Sequence, residues 1–204
     1  KYGLKVADLF RNGIRGGLEP NPQKAAHYYE EIRCKVKNAD DYLRIGRYFR
    51  NGDGVPKNYR LAYYYFQDAA DYGSNDGAGL VCLMYEKNEF GSSFPEKYYI
   101  KAANANQDYS PHFCWNLAVH YYQNASSTST YDHKRAADYF EKCGTSEALE
   151  IARKIREAVA EYERQRELER QRQQAQNNND NNSGGGLLLA LGVGVMLVTG
   201  LPLV

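Results

Sequence analysis

The sequence predicts an all-α fold: a right-handed α/α solenoid of about four helix pairs, then a long C-terminal helix, a disordered linker and an apolar end. The first observation is a recurring block with an apolar residue first, a small residue second and an aromatic residue fifth. Its aromatic positions, spaced 36 to 39 residues apart, are Phe10, Phe49, Tyr85 and Tyr121. The second observation is a further block that follows each time and ends at Tyr29, Phe66, Tyr99 and Phe140. A period in the mid-thirties is typical of helical repeat arrays.

The first two helix pairs have clear sequence boundaries. Residues 2–12 are predicted to form the first helix, which glycines 13, 16 and 17 end. Asn21 is expected to cap the second helix, which begins at Pro22. In the second pair, Asp40 or Asp41 is expected to cap a helix that ends at the turn 51–54, NGDG. Asn58 then caps a helix over Tyr59 to Tyr72.

The third and fourth helix pairs are less regular. The third has the loop 88–95, NEFGSSFP, which places phenylalanines where the second pair has Gly54 and Val55. The fourth carries Trp115 and a Ser- and Thr-rich insertion over 124–131, after which Asp132 is expected to cap a helix that Gly144 ends. Four pairs are therefore predicted over 1–144.

The second pair resembles the Sel-1-like repeat, a tetratricopeptide-like α/α unit. The family pattern is met by Ile45-Gly46, Phe49, Gly52, Gly54-Val55, Asn58, Ala62, Tyr65, Ala69-Ala70 and Gly73. The resemblance extends over about 2–144 and is closest in the second pair and poorest in the third. It implies an α/α superhelix and a scaffold or adaptor role, and it supplies no catalytic residue.

The segment after the repeats divides into three parts. Residues 145–176 are predicted to form one long helix whose apolar residues, from Ala148 to Tyr162, cover the end of the fourth pair. Residues 177–186, NNNDNNSGGG, are predicted to be a flexible polar linker. Residues 187–204 form a hydrophobic tail without a charged residue.

The tail from Leu187 to Val204 predicts membrane attachment. As a helix it would span roughly 27 Å, enough for a thin bilayer. A membrane anchor competes with a cleaved glycolipid-anchor signal and with a contact segment or truncated end. Asn124 and Asn181 match the N-glycosylation pattern, which is compatible with the endoplasmic reticulum or the cell surface.

The composition and motifs argue against several classes of protein. A net charge of +1 gives no reason to expect nucleic-acid binding. The cysteines, at 34, 82, 114 and 143, lack zinc-ligand spacing, and their pairing cannot be read from the sequence. Because phosphate-binding, H-E-x-x-H and G-x-S-x-G motifs are also missing, we expect no enzyme, cofactor, metal or small-molecule substrate.

These observations predict a non-enzymatic protein–protein interaction scaffold tethered to a membrane, with its partner on the concave face. Tyrosine is favoured at binding surfaces, and the candidate partner-binding residues are Tyr28, Tyr64, Tyr98 and Tyr122. Repeats ahead of a C-terminal span also resemble the lumenal substrate-recruiting subunit of an endoplasmic-reticulum-associated degradation ubiquitin ligase, of which this chain would be the C-terminal piece. A surface-anchored secreted interaction factor is the other alternative.

Overall fold

Within residues 2–105, 108 and 110–183, which the computed structural model describes, all regular structure is helical. This confirms the predicted all-α class for that part of the chain. The α-helices are α1 (Tyr2–Asn12), α2 (Pro22–Ile32), α3 (Ala39–Asn51), α4 (Tyr59–Asp71), α5 (Asn75–Glu86), α6 (Glu96–Ala103), α7 (Ser110–Asn124), α8 (Thr130–Cys143) and α9 (Ser146–Ser183). A 3₁₀ turn, Arg33–Lys35, follows α2.

The chain forms two compact units, one up to Phe113 and one from Cys114 onward. In the first unit α1 packs on α2, α3 on α4, α4 on α5 and α5 on α6. In the second unit α8 packs on α9. The pairing of consecutive helices follows from short connections, which favour antiparallel neighbours.

Asparagine and serine side chains set the starts of the helices. The Oδ1 atoms of Asn21 and Asn58 accept hydrogen bonds from the backbone N–H groups of Lys24 (2.9 Å) and Leu61 (3.0 Å), as predicted for N-caps. Gly52 ends α3 with a φ of 76°, a conformation that glycine adopts without steric cost.

Two predicted caps are wrong. The cap of α3 is Asn38, whose Oδ1 accepts from the backbone N–H of Asp40, so both predicted aspartates lie inside the first turn. The cap of α8 is Ser129 and not Asp132. In each case the residue with extended backbone just before the helix takes the position, and the acidic residues lie where the helix dipole favours negative charge.

Stacked aromatic pairs join the two helices of three repeats. The stacked pairs are Phe10–Tyr28, Phe49–Tyr65 and, in the second unit, Tyr121–Tyr139, with centroid distances of 5.2, 5.7 and 5.7 Å. In each, one ring comes from the first block of the repeat and the other from the second block. The aromatic residues that recur in the sequence therefore correspond to a contact between two helices that recurs in the structure.

The third repeat replaces this contact with a loop residue. Phe94 stacks on Tyr99 with centroids 4.4 Å apart and meets Tyr85 edge-on at 5.8 Å. The irregular loop that sets this repeat apart in the sequence thus supplies the missing ring.

Glycines allow the closest helix contacts in the first unit. A Cβ added at Gly46 of α3 would lie 2.6 Å from Phe66 Cε1, and one added at Gly77 of α5 would lie 2.8 Å from the backbone nitrogen of Ala70. Both distances are shorter than a real Cβ contact, so these glycines set the spacing between neighbouring helices.

The long helix α9 buries one apolar stripe. The buried residues, at helical spacing, are Ala148, Ala152, Ile155, Val159 and Tyr162. The helix also takes in residues 177–183, the first seven of the predicted flexible linker. Extending a formed helix adds one hydrogen bond per residue and needs no new nucleation step. The polar composition of 177–183 did not indicate that the helix continues. The rest of the linker and the hydrophobic tail lie outside the described residues.

Candidate protein-binding surface

A groove of about 600 Å³ lies between the first helix pair and the start of α3. We name it the α1–α2 groove, and its lining residues are Gly3, Leu4, Val6, Tyr28, Glu31, Ile32, Lys35, Val36, Lys37, Asn38 and Asp41. Its volume is within the range of sites that take several side chains of a ligand.

The floor of the α1–α2 groove is apolar. Leu4 and Val6 come from α1, Ile32 ends α2, and Val36 follows the 3₁₀ turn. Gly3 brings α1 close to this floor, because an added Cβ would lie 2.6 Å from Ile32 Cγ2. The helices therefore form a continuous apolar surface here.

Tyr42 fixes the chain that carries Val36. Its hydroxyl lies 2.9 Å from the carbonyl oxygens of Arg33 and of Val36, to which it can donate. Burial first, and then the charge of Asp68, raise the pKa of Tyr42 to about 12, so the phenol keeps its proton at a pH where a free tyrosine ionises. Tyr42 thereby holds the end of the groove in place.

The rim of the groove is charged. Lys35 and Lys37 are exposed, and neither forms an ion pair with the described residues. Asp41 is paired with Arg44 at 3.1 Å, and Arg44 also contacts Asp8 at 3.2 Å. The lining carries two lysines and two acids, and Arg44 is shared between Asp41 and Asp8. Lys35, Lys37 and Glu31 are therefore the rim charges that form no ion pair with the described residues.

The four predicted partner-binding tyrosines have different surroundings. Tyr28 lines the α1–α2 groove and is half-buried against Phe10. Tyr64 packs on Phe90 at 5.9 Å, and Tyr98 is only 9 % exposed. Tyr122 lies in the second unit, 5.7 Å from His133. Partner binding by these residues stays a prediction, and Tyr28 lines the α1–α2 groove.

Sequence reasoning missed most of this groove. Ile32, Val36 and the two lysines stand at the end of α2 and in the following turn, outside the repeating blocks. The signal for the groove in the sequence was an apolar residue flanked by two lysines after a helix end, Lys35-Val36-Lys37.

The glycosylation candidates lie on or at the end of helices. Asn124 is the last residue of α7 and is exposed, and its amide donates to the carbonyl oxygen of His120 at 2.8 Å. Asn181 lies within α9. Glycosylation of either residue stays a prediction.

Two further properties concern ions and membranes. Among the described residues, no cluster of three or more His, Cys, Asp or Glu side chains could hold a metal ion. No helix in the described ranges combines the length and apolarity needed to cross a bilayer.

The paired helices, their phased aromatic contacts and the adjoining groove define an α/α repeat protein. The Sel1 repeat family model matches residues 4–32, 39–74, 96–107 and 111–142, so the chain belongs to the Sel1 repeat family. The match omits α5, which agrees with the irregular third repeat. No curated protein matches the chain, and the comparisons give the degradation-ligase interpretation no support.

Two solved structures are similar to this chain. One is a Sel1 repeat protein from Oxalobacter formigenes, with a TM-score of 0.53 and 17 % identity over 77 % of this chain and 43 % of that chain. The other is c5321, a protective antigen of uropathogenic Escherichia coli, with a TM-score of 0.40 and 17 % identity over 74 % of this chain and 38 % of that one. The first likeness supports the fold. This chain spans less than half the length of either protein.

Proposed function

We propose that this chain is a protein-interaction scaffold that binds a peptide segment of its partner in the α1–α2 groove. Sel1 repeats generally mediate protein–protein interactions and are typically non-enzymatic. The observation that carries the proposal is the groove itself, which combines an apolar floor with two rim lysines that form no ion pair with the described part of the chain. An apolar centre with a polar rim is the usual anatomy of a protein-binding site.

The chemistry of the groove specifies the segment it takes. An apolar side chain fills the space above Ile32 and Val36, beside the ring of Tyr28. Acidic residues next to that anchor pair with Lys35 and Lys37, which supply the complementary charge. A groove of this size holds the anchor of an interface and not the whole contact area.

Peptide selection tests the proposal. Random peptides displayed on phage are selected against the purified chain, and the affinity of the enriched peptides is measured by calorimetry. We expect an apolar anchor flanked by Asp or Glu, and K35E/K37E should weaken binding about tenfold or more. Lys57→Glu, at an exposed position outside the groove, is the matched control and should leave the Kd unchanged. Equal affinity for K35E/K37E and the wild type would contradict the proposal.

A membrane tether through residues 187–204 is the second part of the proposed function, and the charge-free sequence of this tail supports it. In cells, the full chain should remain in the membrane fraction after carbonate extraction, whereas a chain ending at residue 186 should be released. If both chains are released, the tether is wrong and the groove proposal is unaffected.

The compartment in which the protein resides distinguishes two narrower roles, a ligase subunit and a surface-anchored factor. A substrate-recruiting subunit of an endoplasmic-reticulum ligase would be retained there, and a surface-anchored factor would be reached by proteases added to intact cells. A mobility shift on deglycosylation that Asn124→Gln removes would place this part of the chain in the secretory pathway. The absence of any shift in wild-type protein would remove the support that the two acceptor patterns give to this localisation.

A further inference from the structure

The second unit contains two cysteines from different helices. Cys114 is the fifth residue of α7, and Cys143 is the last residue of α8. They are 1 % and 5 % exposed, respectively. The other two cysteines are Cys34, which is exposed, and Cys82, which is buried in α5. Neither the repeat contacts nor the proposed groove uses the pair in α7 and α8.

The packing of α7 on α8 brings the start of one helix to the end of the other. Trp115, which follows Cys114, meets Phe140, three residues before Cys143, edge-on at 5.2 Å. Further along α7, Tyr122 contacts His133 at 5.7 Å, close to the start of α8. The helices are therefore antiparallel in a register that places residue 114 opposite residue 143.

The two thiols are in direct contact. The side chains of Cys114 and Cys143 form a hydrogen bond with each other. The contact lowers the pKa of Cys114 and raises that of Cys143, and the Cys143 thiol also lies 3.3 Å from the carbonyl oxygen of Tyr139, to which it can donate. Cys114 is thus the thiol of the pair that forms a thiolate more readily.

We propose that Cys114 and Cys143 are a disulfide site that joins α7 to α8 in the fourth repeat. The oxidant is a disulfide, either glutathione disulfide or an oxidoreductase. The Cys114 thiolate attacks one sulfur of the oxidant, and a mixed disulfide forms as the first thiol leaves. The Cys143 thiolate then attacks the Cys114 sulfur and releases the second thiol. Two protein thiols are oxidised, and the oxidant is reduced to two thiols.

The bond closes a loop that contains the Ser- and Thr-rich insertion and Asn124. Cross-links that close long loops restrict the unfolded chain most, so this disulfide should stabilise the second unit. We expect the Tm of that unit to rise by roughly 10 °C on oxidation. The bond would persist in an oxidising compartment and be absent in a reducing one.

Peptide mapping tests the pairing. The full chain is equilibrated with glutathione disulfide, its free thiols are blocked with N-ethylmaleimide, and it is digested with trypsin under non-reducing conditions. Trypsin places the four cysteines in four different peptides, with Cys114 in 102–134 and Cys143 in 143–153. We expect these two peptides to be linked and the intact mass before blocking to fall by about 2 Da.

Matched variants test whether the peptide linkage is specific to Cys114 and Cys143. Cys82→Ser removes a buried cysteine outside the pair and should leave the linkage intact, whereas Cys143→Ser should abolish it. Because the mapping uses the wild-type chain, the test does not depend on the folding of Cys143→Ser. Blocked thiols at both 114 and 143 after equilibration, or a linkage of either residue to Cys34 or Cys82, would overturn the proposal.

Discussion

Tyr65 stacks on Phe49 with ring planes 15° from parallel, and its hydroxyl donates to the carbonyl oxygen of Tyr29 at 2.6 Å. One side chain therefore joins both helices of the second repeat and ties that repeat to α2 of the first. Tyr65 is fully buried, and burial raises its pKa. The repeat period of the sequence has its physical origin in contacts of this kind.

Removing this ring should destabilise the first unit strongly. We expect Tyr65→Ala to lower the free energy of unfolding by about 3 to 5 kcal/mol, because it leaves a cavity between α3 and α4. Tyr65→Phe keeps the stack and loses the hydrogen bond to Tyr29, so it should cost about 1 to 3 kcal/mol. Urea unfolding followed by circular dichroism measures both changes. A cost for Tyr65→Ala below 1 kcal/mol would contradict the role of the stack.

Gly46 should not tolerate a methyl group. Its added Cβ would overlap Phe66, so Gly46→Ala should lower the free energy of unfolding by about 1 to 3 kcal/mol. Gly17→Ala is the control, because the nearest atom to its added Cβ is 4.0 Å away and its φ is not positive. That change should be neutral or stabilise by up to about 1 kcal/mol. Equal effects in thermal unfolding would exclude close packing as the reason for Gly46.

The sequence predicted the helices well because small and aromatic residues recur wherever two helices meet. Gly46 and Tyr65 are examples, since each position has one packing role in every regular repeat. The third repeat was predictable only as an exception, because Phe94 reaches its partners from a loop that has no period. The α1–α2 groove escaped prediction for the same reason: Ile32 and Val36 become neighbours of Leu4 only through tertiary packing.

Two ion pairs of different exposure should differ in strength. Arg50 and Glu89 form a bidentate pair at 2.9 and 3.2 Å, and their side chains are 18 % and 17 % exposed. We expect a coupling of about 1 to 3 kcal/mol from a double-mutant cycle with alanine. Lys97 and Asp71, at 70 % and 48 % exposure, should couple more weakly than Arg50 and Glu89, because solvent screens an exposed pair. If Lys97 and Asp71 coupled more strongly than Arg50 and Glu89, burial would not be what sets the coupling energy of these pairs.

The buried tyrosines predict a loss of stability at high pH. Burial raises the pKa of Tyr42 to about 12 and also raises those of Tyr29 and Tyr65. The folded chain therefore keeps these protons where the unfolded chain releases them. Stability should be unaffected by these groups below pH 10 and should fall from pH 10 to 12, by up to about 1.4 kcal/mol per pH unit for each tyrosine.

The contribution of Tyr42 can be isolated with Tyr42→Phe. Urea midpoints at pH 9, 10 and 11 should fall less steeply in this variant than in the wild type, because one titrating phenol is gone. Lysines titrate equally in both proteins and cancel in the comparison. Parallel pH profiles would show that Tyr42 releases its proton equally easily in the folded and unfolded states.

Methyl NMR of the full chain with a selected peptide is the most direct test of the scaffold proposal. Isoleucine, leucine and valine methyl groups are labelled, and the peptide is titrated in. The account predicts that the methyl signals of Val6, Ile32 and Val36 shift together, whereas those of Val119 and Val159 in the second unit do not. Saturating binding that leaves the three groove methyl signals unmoved would contradict it.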